Sequence, residues 1–116
     1  MRSFGFALDG LAYLVRTQRN FRIHVLLALA AVAAGIAFGL SAVEWAILIL
    51  TIALVMMTEA LNTGIELAVS LASPDRRPQA KAAKDIAAGA VLLAAVASVA
   101  VGIALFGPRV IALFRP

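Results

Sequence analysis

Cysteine is absent from this sequence of 116 residues, and histidine occurs only once. The lack of cysteine excludes disulfides, thiolate metal sites and cysteine nucleophiles, and one histidine is too few for a histidine-rich zinc site. The sequence also lacks the phosphate-binding pattern Gly-x-x-x-x-Gly-Lys-Ser/Thr and the signatures of protein kinases. If the protein binds a nucleotide, it therefore does so by another design.

Charged residues are scarce, at 14% of the chain, whereas hydrophobic residues make up 64% and the mean hydropathy is +1.03. A soluble domain of this size could not bury so much apolar surface. The apolar residues form long blocks, which indicates one domain (1–116) embedded in lipid. The net charge of +4 comes from residues that flank these blocks, which suits lipid headgroups and phosphates better than nucleic acid.

The order of the segments predicts an all-α integral membrane protein. Residues 3–20 are partly amphipathic, so we expect a helix that lies on the membrane surface. A membrane crossing needs ~20 apolar residues, and three such spans are predicted, at about 23–40, 45–72 and 86–106. Pro74 and Pro78 mark a polar loop before the third span, and Gly107-Pro108 is expected to end that span.

The basic residues indicate how the chain is oriented. Eight of the ten Lys and Arg residues lie before the first span or between the second and third spans. Because three spans place these two regions on one side, the positive-inside rule predicts that the N-terminus and the 73–85 loop are cytoplasmic. The expected location is the cell (inner or cytoplasmic) membrane. Small residues in the third span favour close helix packing, and three spans make a thin protein, so we expect an oligomer.

Polar residues inside the second span carry the clearest functional signal. Glu59, Asn62, Thr63 and Glu66 are spaced i, i+3, i+4, i+7, so they share one helix face. A carboxylate within lipid costs roughly 2.5 kcal/mol or more, so two of them need a reason. One interpretation is a polar stripe that joins helices by hydrogen bonds, although this does not require charge. The other is that Glu59 acts as a general base and Glu66 binds Mg²⁺.

A second polar cluster lies at the start of the third span. Lys84 is placed where its ammonium could reach phosphate oxygens near Glu66, although a lysine at a span end is often only a topology anchor. Asp85 could cap the N-terminus of the helix, or it could orient Lys84 or a nucleotide. His24, at the edge of the first span, is expected to be a buried hydrogen-bonding residue and not a ligand.

Three blocks of the sequence, taken together, resemble the prokaryotic diacylglycerol kinase family, and within it the undecaprenol kinase branch. The blocks are Arg19–His24, Glu59–Glu66 and Lys81–Val91, and their order, spacing and span count agree over nearly the whole chain. The resemblance implies a homotrimeric helical bundle with a surface helix and three spans per chain, and with active sites shared between chains. It also implies transfer of the γ-phosphoryl group of MgATP to a lipid alcohol, either undecaprenol or diacylglycerol.

The resemblance also assigns roles to individual residues. By position, Glu59 is similar to the general base of the family and Glu66 to a metal ligand. The resemblance implies that Asn62 is an active-site polar group and that Lys84 and Asp85 contact the nucleotide. It also places Asp75, Arg76 and Arg77 in the loop that lies beside the nucleotide. The sequence departs from the family at Gln18, where relatives have a metal-binding glutamate, and at Ser70, where relatives usually have an aspartate. An alternative is therefore a catalytically weakened member, or a non-enzymatic membrane subunit that binds lipid or cations.

Overall fold

The computed structural model describes residues 2–75 and 77–116, and these residues form four helices and no strand. The helices are α1 (Arg2–Thr17), α2 (Arg19–Phe38), α3 (Ala42–Ala72) and α4 (Pro78–Leu113). Each of α2, α3 and α4 is long and apolar enough to cross a membrane, whereas α1 has only 16 residues. The predictions of an all-helical chain and of three spans are confirmed, and the chain is a multi-pass membrane protein.

A single residue, Gln18, separates the first two helices. Its backbone is extended, with φ −110° and ψ 107°, so α1 stops at Thr17 and not at the end of the predicted 3–20 segment. The guanidinium of Arg22 donates a 2.9 Å hydrogen bond to the carbonyl of Val15. Because the last carbonyls of a helix have no partner within it, this contact satisfies the end of α1. The basic residues that follow Gln18 belong to the first turn of α2.

The third helix begins at Ala42, earlier than the predicted start at Trp45. Ser41 and Glu44 form a capping box, in which the Ser41 hydroxyl accepts from the N–H of Glu44 and the Glu44 carboxylate accepts from the N–H of Ser41. This exchange satisfies two N–H groups that a helix start otherwise leaves unpaired. Gly39, with a φ of +71°, ends α2 and turns the chain toward this cap.

The fourth helix runs from Pro78 to Leu113 and continues through Pro108. The prediction that the helix of the third span stops at Gly107-Pro108 was wrong. A proline inside a helix removes one backbone hydrogen bond, but it does not prevent the helix from continuing when other contacts hold the next turn. Here the guanidinium of Arg109 donates to both carboxylate oxygens of Glu44, at 2.8 Å each, and this ion pair holds the turn after Pro108 against α3.

Helices α3 and α4 form an antiparallel hairpin, α2 packs on α3, and α1 contacts both α2 and α3. A buried cluster of Leu40, Leu48 and Leu105 lies at the end of the hairpin remote from its loop. The ring of Trp45 covers Gly35 so closely that a Cβ added there would lie 2.7 Å from its Cη2 atom. Most other large apolar side chains are exposed in a single chain, as expected for helices that face lipid.

Candidate functional site

Among residues 2–75 and 77–116, Glu59 is one of two buried polar residues, and its side chain is only 8% exposed. Its Oε1 lies 3.1 Å from Nε2 of His24, which belongs to α2. Thr63 is the other, and with Ala60 and Gly64 it lines a narrow groove that α1 borders at Gly10. The predicted base therefore lies inside the helix packing, and His24, which is only partly buried, makes a hydrogen bond with it.

Two further residues of the same face, Asn62 and Glu66, lie nearer the end of α3. The amide of Asn62 donates a 3.4 Å hydrogen bond to Oε1 of Glu66, which is exposed. The other polar atom of this amide, Oδ1 of Asn62, is buried and has no hydrogen-bond partner among the described residues. An unpaired buried oxygen beside an exposed carboxylate offers two hard oxygen donors to a cation.

Gln18 lies at the junction of α1 and α2. Its side-chain amide donates a 3.2 Å hydrogen bond to the hydroxyl of Thr17. Within the described ranges it has no hydrogen bond to Glu66, so a shared metal stays a prediction for this pair. In that same part of the chain no group of three or more His, Asp or Glu side chains could hold a metal ion. A metal here would therefore need ligands besides these protein side chains.

An open cavity of about 820 Å³ brings together most of the predicted nucleotide contacts. It lies between the ends of α3 and α4, and its lining includes Asp75, Arg77, Lys84 and Asp85. The Nζ of Lys84 donates a 2.9 Å hydrogen bond to the hydroxyl of Ser70 across the two helices. The cavity is thus lined by cationic and anionic side chains close to the exposed end of the α3 polar face.

Asp85 has a different environment from the one expected for a cap. It lies two turns inside α4, which begins at Pro78, so the structure excludes capping, one of the roles that the sequence left open. It is also not paired with Lys84, because its Oδ2 accepts a 2.6 Å hydrogen bond from Nζ of Lys81. The pair is i, i+4 on an exposed helix face, where such contacts contribute little to stability.

The loop between α3 and α4 contains an ion pair of its own. The guanidinium of Arg77 donates to Oδ2 of Asp75 at 2.9 Å, and the hydroxyl of Ser73 donates to Oδ1. These two hydrogen bonds, with that from Arg77 the stronger influence, lower the pKa of Asp75 below its ordinary value. Asp75 is therefore an anion at neutral pH. Arg76, the other predicted contact of this loop, lies outside the described residues.

A second groove, of about 480 Å³, is almost entirely apolar and lies between α2, α3 and α4. His24 and Met56 line it at the end near Glu59, and Leu48 and Phe106 line it at the other end. One end of this groove therefore approaches the buried carboxylate through His24. A hydrocarbon chain would find an apolar surface there that leads toward a polar group.

Sequence reasoning did not identify three of these partners. They are His24 as the partner of Glu59, Ser70 as the partner of Lys84, and Arg109 as the partner of Glu44. Polar groups within spans are costly unless they are paired, so matching each one with a polar residue on another span would have suggested two of these contacts. Nothing in the sequence indicated the contact between Ser70 and Lys84, because a lone hydroxyl is common in helices.

The prokaryotic diacylglycerol kinase family matches this chain over residues 5–106. The chain belongs to this family. A diacylglycerol kinase of Synechocystis sp. is 46% identical over 112 residues, which are 96% of this chain and 64% of that protein. An undecaprenol kinase of Bacillus subtilis is 43% identical over 108 residues, which are 93% of this chain and 88% of that protein.

A diacylglycerol kinase of Helicobacter pylori is more distant, with 34% identity over 88 residues, covering 76% of this chain and 69% of that protein. The chain thus spans slightly less than two thirds of its cyanobacterial relative and most of its Bacillus relative. These relatives carry the names of lipid kinases. The family predicted from the three sequence blocks is confirmed.

Proposed function

We propose that this protein is an ATP-dependent kinase that transfers the γ-phosphoryl group of ATP to the hydroxyl of a membrane lipid, undecaprenol or diacylglycerol. The observation that carries the proposal is the polar face of α3, which runs from buried Glu59 to exposed Glu66. These residues are about 10 Å apart along the helix axis, at a rise of about 1.5 Å per residue. A lipid hydroxyl approaches the buried end, and the phosphates approach the exposed end.

Glu59 is the general base in this proposal. It accepts the proton of the lipid hydroxyl as that oxygen forms its bond to the γ-phosphorus, and the bond from the γ-phosphorus to the bridging oxygen of ADP breaks. The apolar groove beside His24 holds hydrocarbon of the acceptor, which places its hydroxyl near the carboxylate. The closed packing around Glu59 excludes water, which would otherwise compete with the lipid as acceptor.

The donors at Glu66 and Asn62 fit Mg²⁺, because both are hard oxygen donors and Oδ1 of Asn62 lacks a partner within the described residues. Mg²⁺ commonly uses one or two carboxylates together with phosphate oxygens and water, so a cluster of three protein anions is not needed. Glu66 and Asn62, with Gln18 as a further proposed ligand, would hold the ion, which when bound neutralises charge on the phosphates. Gln18 offers only a neutral oxygen, which makes its contribution weak.

The cavity between α3 and α4 is the proposed nucleotide site. Lys84 directs a positive charge to the phosphates, and phosphoryl transfer depends mainly on such positioning and charge neutralisation. Asp85 and the loop residues Asp75, Arg76 and Arg77 contact the rest of the nucleotide. The support for this assignment is the common cavity lined by Lys84, Asp85, Asp75 and Arg77.

The proposal includes the placement and assembly of the chain. Helix α1 lies on the cytoplasmic membrane surface, and the N-terminus and the 73–85 loop are cytoplasmic, consistent with the basic residues there. The chains form a homotrimer with active sites shared between neighbours. The proposal follows the family resemblance, and its support in this chain is the run of small residues in the third span, which allows close packing between helices.

The test is a phosphotransfer assay in mixed micelles with radiolabelled ATP and Mg²⁺, in which undecaprenol and diacylglycerol are offered side by side. We expect label in at least one lipid with the wild type, and a loss of about 10²- to 10⁴-fold with Glu59→Gln. Size-exclusion chromatography should show the same assembly for both proteins. The proposal is wrong if wild type and Glu59→Gln transfer equal amounts of label to both lipids.

Gln18 and Ser70 favour a second candidate, a member that binds lipid and nucleotide with little turnover. According to the family resemblance, each residue replaces an anion that is expected near the metal and nucleotide. The double variant Gln18→Glu with Ser70→Asp restores both anions. A large gain in phosphotransfer by this variant over an almost inactive wild type would support the second candidate.

A further inference from the structure

The chain contains one histidine, and that residue contacts the buried carboxylate of Glu59. His24 belongs to α2 and Glu59 to α3, so the contact joins two spans. The His24 side chain is 22% exposed, more than the 8% of Glu59. A general base must be ionised to accept a proton, and an ionised carboxylate can only accept hydrogen bonds, so the proposed function requires Nε2 of His24 to be the donor in this pair.

This contact occupies one of the two carboxylate oxygens. Oε1 of Glu59 accepts from His24, and Oε2 accepts no hydrogen bond within the described part of the chain. When a hydrogen bond holds one carboxylate oxygen, the plane of the carboxylate is fixed, because rotation about the Cγ–Cδ bond would break that hydrogen bond. The second oxygen then keeps a defined direction toward any hydroxyl that enters the packing.

We propose that His24 is a positioning residue for the general base, holding Oε1 of Glu59 so that Oε2 receives the proton of the lipid hydroxyl. This inference rests on the proposed function. In the step, the lipid O–H bond breaks, its proton moves to Oε2, and the lipid oxygen bonds to the γ-phosphorus while ADP leaves. His24 keeps its Nε2 proton throughout and donates to Oε1 before and after the transfer.

The location of His24 gives it a second effect on the same step. Its ring also lines the apolar groove between α2, α3 and α4. A hydrocarbon chain in this groove would therefore pack against the residue that orients the base. His24 thus links the position of the acceptor to the direction of Oε2, and its loss should lower kcat more than it changes the KM for ATP.

A hydrogen bond that only joins α2 to α3 is the competing explanation, and the single histidine allows a direct test. Protein without a histidine tag and labelled with ¹⁵N-histidine gives ring signals from His24 alone, and their shifts report which nitrogen carries a proton. We expect Nε2 to be protonated in the wild type, and Glu59→Gln to shift both ring signals. If the ring signals of the two proteins superimpose, His24 does not contact Glu59. This conclusion does not depend on which substrate the protein phosphorylates.

The kinetic test uses two substitutions at the same position. His24→Phe keeps a ring of similar shape but has no N–H, and we expect kcat to fall about 10- to 100-fold with the KM for ATP within twofold. His24→Gln retains an N–H donor, so it should recover a substantial part of that loss. If the hydrogen bond only joins α2 to α3, both variants should instead lose kcat equally, or the loss of kcat should be accompanied by a lower Tm.

Thr58→Val is the matched control. Thr58 precedes Glu59, and its hydroxyl donates only to the carbonyl of Val55 in its own helix, at 2.9 Å. Its replacement should leave kcat unchanged. That result would show that altering a side chain next to Glu59 is not enough to lower kcat. If Glu59→Gln is inactive while His24→Phe matches the wild type, the inference about His24 fails and the proposed function stands. If the wild type itself transfers no phosphoryl group, the proposed function fails, and the NMR experiment still decides the contact.

Discussion

Lys84 of α4 and Ser70 of α3 are joined by a 2.9 Å hydrogen bond from the ammonium to the hydroxyl. The Ser70 hydroxyl is neutral, whereas the family resemblance implies an aspartate at this position. A hydroxyl orients the ammonium without cancelling its charge, whereas a carboxylate would do both. The charge of Lys84 is therefore not cancelled by this partner, and it remains available to an anion that enters the adjoining cavity.

The first prediction compares Lys84→Met with Lys81→Met. Lys84 reaches across the cavity, whereas the ammonium of Lys81 is held by Asp85 on its own helix and its side chain is 78% exposed. We expect Lys84→Met to raise the KM for ATP about tenfold or more, which corresponds to about 1.4 kcal/mol of binding. Lys81→Met should change it by less than about threefold, in line with an exposed pair. Equal and small effects in an ATP titration would identify Lys84 as a topology anchor only.

The second prediction concerns Gln18→Glu and the dependence on magnesium. If Gln18 faces the ion held by Glu66, a carboxylate there supplies a hard anionic ligand and strengthens binding. The Mg²⁺ concentration for half-maximal rate should fall about tenfold, equivalent to ~1.4 kcal/mol, while the rate at saturating Mg²⁺ changes less. The check is a magnesium titration of the wild type, Gln18→Glu and Glu66→Gln. A shift with Glu66→Gln but none with Gln18→Glu would place Gln18 away from the metal.

The third prediction concerns the ion pair between Glu44 and Arg109. Arg109→Met leaves the Glu44 carboxylate without its bidentate partner and loosens the turn after Pro108. We expect the Tm in detergent to fall by a few degrees, and Glu44→Gln to have a similar effect. In the double variant the second substitution should add little, because the pair has already been lost. Fully additive losses in Tm would show that the two residues act independently.

The fourth prediction concerns the close contact between α2 and α3 at Gly35. A methyl group there would lie 2.7 Å from the Trp45 ring, so Gly35→Ala must displace the indole or separate the helices. Overpacking of this kind costs about 1–3 kcal/mol. Trp45 is the only tryptophan, so its emission spectrum should shift as the Tm falls. Gly102→Ala is the control, since a Cβ there meets nothing within 4 Å, and it should leave both measurements unchanged.

Hydropathy was sufficient to predict the spans, because long apolar blocks allow little besides membrane helices. The prediction that the helix ends at Pro108 was wrong, because α4 continues to Leu113 and the next residue, Arg109, contacts Glu44 of α3. The prediction from sequence also placed the start of α3 too late, although the Ser41 and Glu44 spacing of a capping box was visible in the sequence. Local signals therefore fix helix ends less well than contacts between helices that are distant in sequence.

For the site, helical periodicity placed Glu59 and Glu66 on one strip of α3, and the structure separates them into a buried and an exposed group. Periodicity describes one helix at a time, so it could not reveal that His24 on another span contacts Glu59. The same limit applies to Asp85, whose neighbour Lys84 in sequence is not its partner in space. Pairing across helices depends on their relative rotation, which a single sequence does not specify.

The α3–α4 hairpin is held by polar contacts near both of its ends, Lys84 with Ser70 and Arg109 with Glu44. Together these contacts fix the rotational phase of α4 relative to α3. Inserting one residue into α4 between Lys84 and Arg109 would turn one end by about 100° relative to the other. A rigid helix could then not keep both contacts. Insertions or deletions in this stretch that conserve the geometry of the cavity must therefore add or remove whole helical turns.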